Sequence, residues 1–339
     1  MRPEDKLQLL PMSDGGDGFG ELTGGLLRAR PRDAKTVDAA HRPCKARWWY
    51  EPATKTAIVD SSHAIGLAML PPGGFHPFKL DTLGLGLLLR STAKRGAKKC
   101  LVGIGGSATN DGGFGMARAL GWSFFDGKGK SIEQWTQLHS LKHLRSPAKN
   151  DLFKEVIVAV DVANRLLGPR GAARVYGPQK GLRPADFERA ESCLHQLKQV
   201  VKRELGRDFS RTPGAGAAGG LGFGFLAFLG ARLEPGFELF AKHAGVDAHL
   251  RSADVVITGE GALDKSTLMG KGVGKVARRC RQVDIPCIGM AGIVSREVAS
   301  TKTFQGTYAL VNFTTINEAK AKPAFWLERV AAVAAVELG

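Results

Sequence analysis

The sequence predicts an α/β protein: a Rossmann-like, doubly wound domain into which a second α/β domain with a mixed sheet is inserted. Its 339 residues exceed the ~250 to 300 residues that one hydrophobic core usually supports. Short apolar runs bounded by Gly and Asp alternate with helical patterns, which is typical of parallel sheets. We therefore predict a discontinuous Rossmann-like domain at residues 1–34 and 236–339, and an inserted domain at 35–235.

The individual elements follow from these runs in chain order. Between residues 36 and 62, alternating apolar residues on both sides of a polar turn predict a hairpin. Five later apolar runs predict buried strands at residues 99–104, 155–160, 254–257, 286–290 and 308–313. Helical spacing predicts helices over 186–205 and 270–282. The uncharged stretch at 213–231 reads as a Gly-rich loop that enters a buried helix.

Charge and cysteine usage narrow the function classes. Lys and Arg total 48 against 32 Asp and Glu, a formal charge of +16 that favours anionic partners. The cations are spread along the chain instead of forming a stripe with aromatics, so we expect a small-molecule substrate and no nucleic acid. The five cysteines form no C-x-x-C pair, which argues against a disulfide framework or zinc site. The apolar run at residues 7–10 is too short to form the apolar region of a signal peptide. We expect a cytoplasmic monomer or homodimer without membrane contact.

Five polar glycine loops each follow an apolar run, and ligands of open α/β sheets bind at the carboxyl ends of strands. They begin at Pro11, Gly103, Asp161, Pro213 and Thr258. The first holds two carboxylates that could bind a cation or accept a proton, although Asp-Gly-Gly is also an ordinary turn. The second partly matches a dinucleotide fingerprint, but its four polar side chains at Ser107, Thr109, Asn110 and Asp111 better suit an anion or polyol. Taken alone, Asp161 is better explained as the cap of the following turn and Lys180 as a solvated surface lysine.

The loop at Thr258 has no Walker A pattern. It does combine carboxylate, hydroxyl and ammonium groups, which phosphoryl transfer to a substrate hydroxyl requires. Taken in order, the loops resemble the bacterial glycerate kinase family. The motifs that carry the resemblance are P-M-S-D-G-G-D-G, G-I-G-G-S-A-T-N-D-G-G, D-V-A-N, G-P-Q-K-G, P-G-A-G-A-A-G-G-L-G and T-G-E-G-x-x-D-x-x-T-x-x-G-K. The resemblance implies ATP-dependent phosphorylation of D-glycerate to phosphoglycerate with Mg²⁺, in organic acid metabolism.

On this resemblance, Asp14 and Asp264 are the predicted catalytic carboxylates, which orient the substrate hydroxyl or hold Mg²⁺. The other predicted contacts to substrate or nucleotide are Gly15, Gly16, Gly105, Gly106, Ser107, Thr109, Asn110, Asp111, Asp161, Asn164, Lys180, Gly259, Glu260, Gly261, Thr267 and Lys271. Lys180 and Lys271 would neutralise phosphate charge.

The sequence also departs from the family pattern. Phe75, Leu83, Leu85 and Ala262 stand where relatives usually carry polar or cationic residues. Family members have a strand and helix upstream of the Asp14 loop. We therefore expect the chain as written to be less soluble or less active than a version extended upstream. The alternative function is a catalytically impaired relative that binds a small anion or nucleotide without turnover.

Overall fold

The computed structural model describes residues 4–149, 151–268 and 272–337 and divides into two compact units. The larger unit is Ser13–His243, and the smaller unit combines Met1–Met12 with Ala244–Gly339. Both contain helices and strands, which confirms the predicted α/β class. Within the described ranges, no helix has the length and apolar character needed to cross a membrane.

The larger unit is built on a six-stranded mixed sheet. Its strands are β1 (Arg30–Val37), β2 (Pro43–Glu51), β3 (Thr56–Asp60), β4 (Lys99–Gly103), β7 (Glu155–Val160) and β8 (Arg232–Pro235), while β5 (Ser123–Asp126) and β6 (Leu141–Arg145) form a separate antiparallel pair. The order in the sheet is β1-β2-β3-β4-β7-β8. The first three strands are antiparallel, and β3, β4, β7 and β8 run parallel. The carboxyl ends of four strands therefore lie at one edge.

Helices of this part of the chain lie between and after the strands. They are α1 (Phe19–Leu26), α2 (Ser62–Ile65), α3 (Leu83–Lys94), α4 (Phe114–Ala119), α5 (Ala172–Tyr176), α6 (Phe187–Leu205), α7 (Ala217–Leu229) and α8 (Gly236–Ala244). Helix α6 buries Ala190, Leu194, Leu197 and Val201 at helical spacing, and it stops at Gly206, whose left-handed backbone (φ 71°) favours glycine. The long helix predicted at 186–205 is thus confirmed to within one residue.

The predicted hairpin is also present, as strands β2 and β3. The Glu51 carboxylate closes its turn by accepting hydrogen bonds from Ala53 N (2.7 Å) and Thr54 N (2.6 Å). Every residue of β3 is buried, because the strand lies between β2 and β4 in the sheet. The continuous apolar run at 56–59 is therefore explained by the central position of β3 in the sheet.

The smaller unit contains a parallel three-stranded sheet in the order β11-β10-β9. Its elements are β9 (Val256–Leu263), β10 (Cys287–Val294), β11 (Gly306–Ala309), α9 (Val246–Arg251), α10 (Lys265–Leu268), α11 (Gly272–Gln282), α12 (Arg296–Ala299), α13 (Ile316–Ala321) and α14 (Pro323–Glu337). Strands and helices alternate along this stretch, as the sequence predicts. Parallel strands require such crossover connections.

Two predicted strands are displaced. The strand predicted at 254–257 continues to Leu263, because residues beyond Ile257 go on pairing with β10. The strand predicted at 308–313 is wrong in its second half, since Leu310–Asn312 forms a 3₁₀ turn. Both differences have one cause: an apolar run does not show where backbone pairing with a neighbouring strand stops.

The boundaries of the two units differ from the domain boundaries predicted from the sequence. Residues 13–34 lie in the larger unit, because β1 pairs with β2 and Phe19 of α1 packs with Trp49, Ile58 and Leu101. The units divide at 12/13 and 243/244, whereas the sequence analysis places domain boundaries at 34/35 and 235/236. The latter stay a prediction about independently folding domains.

Candidate active site

A cleft of about 1310 Å³ opens in the larger unit at the carboxyl ends of β4 and β7. Residues from four of the five predicted loops line it, and those with polar side chains include Asp14, Ser107, Asp161 and Lys180. These residues are up to 166 positions apart in the chain (180 − 14). The sheet thus brings together groups that the sequence could only list separately.

The Asp14 loop is shaped by short-range hydrogen bonds. Gly16 N donates to Asp14 Oδ1 (3.0 Å), and Gly15 N donates to Ser13 Oγ (3.3 Å). Gly15 has a left-handed backbone (φ 96°), a conformation that glycine adopts without strain. Asp14 itself is exposed. Its carboxylate is therefore presented to the cleft by a loop whose backbone is held from within.

Glycines of the second loop allow it to lie directly against the first. Gly105 N donates to Gly15 O (3.3 Å), and a Cβ at Gly105 would lie 2.5 Å from the Cα of Gly16. A Cβ at Gly106 would overlap the Asp17 carboxylate. Gly105, one of the residues that partly match a dinucleotide fingerprint, thus has a packing reason to be glycine.

Lys180 supplies a buried amine to the cleft wall. Its side chain is 6% exposed, and Nζ donates a hydrogen bond to Thr109 O (2.7 Å). Burial lowers the pKa of Lys180 to about 7, and the negative charge of Asp111 only partly opposes that shift. Ser107 and Thr109 lie beside it, with their hydroxyl oxygens 3.0 Å apart. Ser107 lines the cleft, whereas Thr109 is fully buried.

Asp111 lies in the protein interior and is fully buried. Its Oδ2 accepts hydrogen bonds from Thr82 N (3.0 Å), Thr82 Oγ1 (2.8 Å) and Gly115 N (2.9 Å), while Oδ1 accepts from Gly113 N (3.1 Å). Burial, with a smaller effect from Asp81, raises the pKa of Asp111 to about 6. These contacts hold the starts of α3 and α4. Asp111 can therefore influence the cleft through the field it exerts on Lys180.

Asn110 and Asn164 differ in how their amides are used. Asn110 is fully buried, and within the described residues neither amide atom has a hydrogen-bond partner. Asn164 Nδ2 donates to Arg170 O (2.8 Å), and its Oδ1 accepts from Tyr176 Oη (2.7 Å). The Asn164 amide therefore fastens its own loop.

In the smaller unit, Asp264 follows β9 and caps α10. Its Oδ1 accepts from Ser266 N (2.7 Å) and Ser266 Oγ (2.5 Å). Thr267 Oγ1 accepts from Asp264 N (3.1 Å) and donates to Glu260 Oε1 (2.7 Å). Gly259 and Gly261 lie within β9 and are exposed. The structure thus joins Glu260, Asp264 and Thr267 in one hydrogen-bonded group; Lys271 lies outside the described residues.

The donor set at Asp14 is compatible with Mg²⁺. Across the described ranges, no group of three or more His, Cys, Asp or Glu side chains is placed to hold a metal ion. Mg²⁺ in phosphoryl-transfer sites needs no such group, because it keeps several waters and is bound through one or two carboxylates together with substrate phosphates. The exposed carboxylate of Asp14 fits that role. Asp14 and Asp264 as metal ligands stay predictions.

One buried acid in this region was missed by the sequence analysis. Asp60 ends β3 and is fully buried beside the Asp14 loop, where Gly18 N donates to it. A detectable signal existed, since an acid directly after an apolar run marks the carboxyl end of a strand. However, that apolar run is the second strand of the predicted hairpin. Ligands are expected at the carboxyl ends of parallel strands, not at the end of a hairpin strand.

The comparisons with known proteins agree with this geometry. A family model described as the glycerate kinase family matches residues 1–338. The chain belongs to the glycerate kinase family. It is therefore a kinase, a phosphotransferase with an alcohol group as acceptor, and it uses a small-molecule substrate. A nucleotide is the general phosphoryl donor of kinases.

Individual relatives cover most of this family member. It is 36% identical over 293 residues to a glycerate kinase of Halalkalibacterium halodurans, covering 86% of this chain and 77% of the relative. It is 34% identical over 302 residues to the glycerate 2-kinase of Escherichia coli, covering 87% and 78%. A crystal structure of a candidate glycerate kinase 2 from Salmonella typhimurium LT2 superposes with a TM-score of 0.77 at 33% identity, covering 91% of this chain and 81% of that one.

The departures from the family pattern fall in different surroundings. Phe75 lines the cleft, so it can alter the shape of the substrate site. Leu85 is fully buried in α3 and packs in the core with Met116. Ala262 lies in β9 of the smaller unit. Of these three, only Phe75 is a cleft residue of the larger unit.

Proposed function

We propose that this glycerate kinase family member transfers a phosphoryl group from ATP to a hydroxyl of D-glycerate, giving phosphoglycerate, with Mg²⁺. One observation carries the proposal: Asp14, Ser107 and Lys180 line a single cleft at the carboxyl ends of parallel strands. That edge is where open α/β sheets bind ligands. The choice of glycerate as substrate is inferred from the names of the similar proteins.

The residues of the cleft suit phosphoryl transfer, which depends on alignment and on neutralisation of phosphate charge. Lys180, when protonated, places a positive charge where little water can screen it. Ser107 Oγ can donate to a carboxylate or phosphate oxygen. Asp14 in the larger unit and Asp264 in the smaller unit are the proposed carboxylates that orient the substrate hydroxyl or hold Mg²⁺. The bound ion would neutralise charge on the transferred phosphate.

The other residues predicted to contact substrate or nucleotide are also part of the proposal. Gly15, Gly16, Gly105 and Gly106 line the cleft, where their main chain can approach an anion closely. We propose Asp161, Glu260 and Thr267 as further polar contacts to substrate or nucleotide. The absence of a nucleic-acid partner, the cytoplasmic location and the monomeric or dimeric state remain predictions from sequence.

A coupled assay tests the proposed reaction. Purified protein with ATP and Mg²⁺ is expected to release ADP when D-glycerate is added and to stop when EDTA removes the metal. Other hydroxy acids of three to five carbons serve as the comparison panel. If D-glycerate or ATP binds in calorimetry but no acid of the panel causes ADP release, the impaired relative is the correct description.

Asp264 offers a test that separates chemistry from helix capping. Asp264→Asn keeps an oxygen that can accept from Ser266 N, so we expect little change in melting temperature. Turnover should fall by about 10²-fold or more, as for the loss of a positioned charged acid-base group. Asp264→Ala should lose the cap as well, and with it about 1 kcal/mol of stability. Full activity in Asp264→Asn would leave Asp264 as a cap only.

A further inference from the structure

Asp60 is a buried acid to which neither the sequence analysis nor the proposed reaction gives a role. It is the last residue of β3, in the interior of the six-stranded sheet, and it is 0% exposed. Among the described residues it forms no ion pair with a Lys, Arg or His side chain. Burial of a carboxylate without a cationic partner is unfavourable, so the hydrogen bonds that hold Asp60 in place need an explanation.

One carboxylate oxygen of Asp60 holds the Asp14 loop. Gly18 N donates to Oδ2 over 3.1 Å, across 42 positions of sequence. Gly18 is the residue before α1; its backbone is left-handed (φ 85°), and it has no side chain to cap the helix. Asp60 provides the acceptor for Gly18 N, the N–H immediately before α1, while Phe19 N donates to Gly16 O. It thereby fixes the end of the loop that carries Asp14 and Asp17.

The other carboxylate oxygen, Oδ1, is linked to the second loop of the cleft through helix α2. Ser62 N (3.1 Å) and Ser62 Oγ (2.7 Å) both donate to Oδ1, at the start of α2. The far end of α2 then pairs with the second loop, through Ala108 N to Ile65 O (2.8 Å) and Leu67 N to Gly106 O (2.8 Å). The side chain of Asp60 therefore connects the Asp14 loop with the Gly105–Ser107 loop, two of the loops that line the cleft.

The loops that Asp60 connects also lie in direct contact. Gly105 N donates to Gly15 O, and a Cβ at Gly105 would lie 2.5 Å from Gly16 Cα, a main-chain atom. Such close packing permits one relative placement of the two loops, and the two oxygens of Asp60 determine where each loop is anchored. An ionised acceptor makes these hydrogen bonds stronger than a neutral one would.

We propose that Asp60 is a positioning residue for phosphoryl transfer: it holds the Asp14 loop and the Gly105–Ser107 loop in register. The role rests on the proposed function of the cleft, but the anchoring of the loops does not. A displacement of about 1 Å at a reacting group lowers turnover by ~10²-fold. Loss of an anchor should therefore reduce kcat more than it weakens substrate binding.

Asp60→Asn is the decisive variant, and Asp38→Asn is its matched control. The amide that replaces the Asp60 carboxylate can accept through only one of its two positions, so an N–H of Gly18 or Ser62 would face an NH₂ group. Asp38 is also buried, at 3% exposure, and also accepts main-chain hydrogen bonds, from Ala40 N (2.8 Å) and Arg42 N (3.0 Å); unlike Asp60, it also pairs with Arg42 Nε (2.6 Å). It lies outside the residues that line the cleft. Both variants should lose stability.

We expect Asp60→Asn to lower kcat 10- to 100-fold with KM changed less than about threefold, whereas Asp38→Asn keeps wild-type kcat, both measured well below the melting temperatures. Hydrogen exchange should be at least about tenfold faster at residues 15–18 and 105–108 in Asp60→Asn only. Wild-type kcat, or unchanged exchange in either loop, would overturn the proposal. If the wild-type protein phosphorylates none of the acids tested, the proposed function fails, and the exchange result alone decides whether Asp60 anchors both loops.

Discussion

Lys180→Met is expected to lower kcat/KM by about 10³-fold, the largest effect of any single side chain in the cleft. Lys180 places its amine in a wall where it is 6% exposed and oriented by Thr109 O. A fixed charge in such a dry site stabilises developing phosphate charge far better than one in water, and removal of comparable groups reduces turnover ~10²- to 10³-fold or more. Methionine retains the length and apolar stem of lysine without the charge.

The same substitution has a stability effect of known sign. The pKa of Lys180 is about 7 in the folded chain, below its ordinary value of 10.5. Between these pH values the unfolded chain binds the additional proton, so the contribution of Lys180 to folding stability rises with pH. Urea unfolding at pH 7 and pH 9 should show this rise in the wild type, by at most about 1.4 kcal/mol per pH unit, and not in Lys180→Met.

The control for Lys180 is Lys35→Met, on the exposed edge strand β1. It removes one positive charge from the same unit without touching the cleft, so activity should stay within about twofold of the wild type. Retention of more than a third of wild-type kcat/KM by Lys180→Met would show that the buried amine is not used for phosphate charge.

Gly236→Ala is expected to lower activity by about 10²-fold and to destabilise the protein by about 1 to 3 kcal/mol. A Cβ at Gly236, the first residue of α8, would overlap the carbonyl group of Asp14. The overlapping atoms belong to the main chain, so no side-chain rotation can relieve the clash. Overpacking of this kind typically costs 1 to 3 kcal/mol, and displacement of the Asp14 loop would misalign its carboxylate.

Gly25→Ala in α1 is the control for this substitution. A Cβ there meets no atom within 4 Å, and alanine is preferred to glycine inside a helix by roughly 0.5–1 kcal/mol. Its melting temperature and activity should equal or exceed those of the wild type. If Gly236→Ala behaves in the same way, the Asp14 loop can move aside without loss of function, and close packing does not hold it in place.

The sequence determined the class of fold and the identity of the polar loops. Apolar runs at 99–104 and 155–160 appear as the central strands β4 and β7, because residues buried on both faces of a sheet leave a continuous apolar signal. The glycine motifs are local as well: a left-handed backbone at Gly15 or Gly18 is a property of single positions. Family membership follows from the same motifs in their order.

Only the tertiary structure decided which polar residues face the cleft. Ser107 and Asp111 lie four positions apart on one loop, yet Ser107 lines the cleft and Asp111 is buried beneath α3 and α4. Residue type could not separate them, because both are hydrogen-bonding side chains after the same strand. The difference arises from partners such as Thr82, 29 positions away.

The role of Asp60 likewise could not be predicted from the sequence. Its importance lies in hydrogen bonds to Gly18 and, through α2, to the loop at Gly106. The Gly18 contact spans 42 positions, and the contacts from Leu67 to Gly106 and from Ile65 to Ala108 span 39 and 43, so no local pattern shows them. The sequence determines which groups are available, because the glycine turns and apolar strands that carry them are local patterns. Packing of the parallel strands determines which of those groups meet, because their carboxyl ends converge only when the sheet has formed.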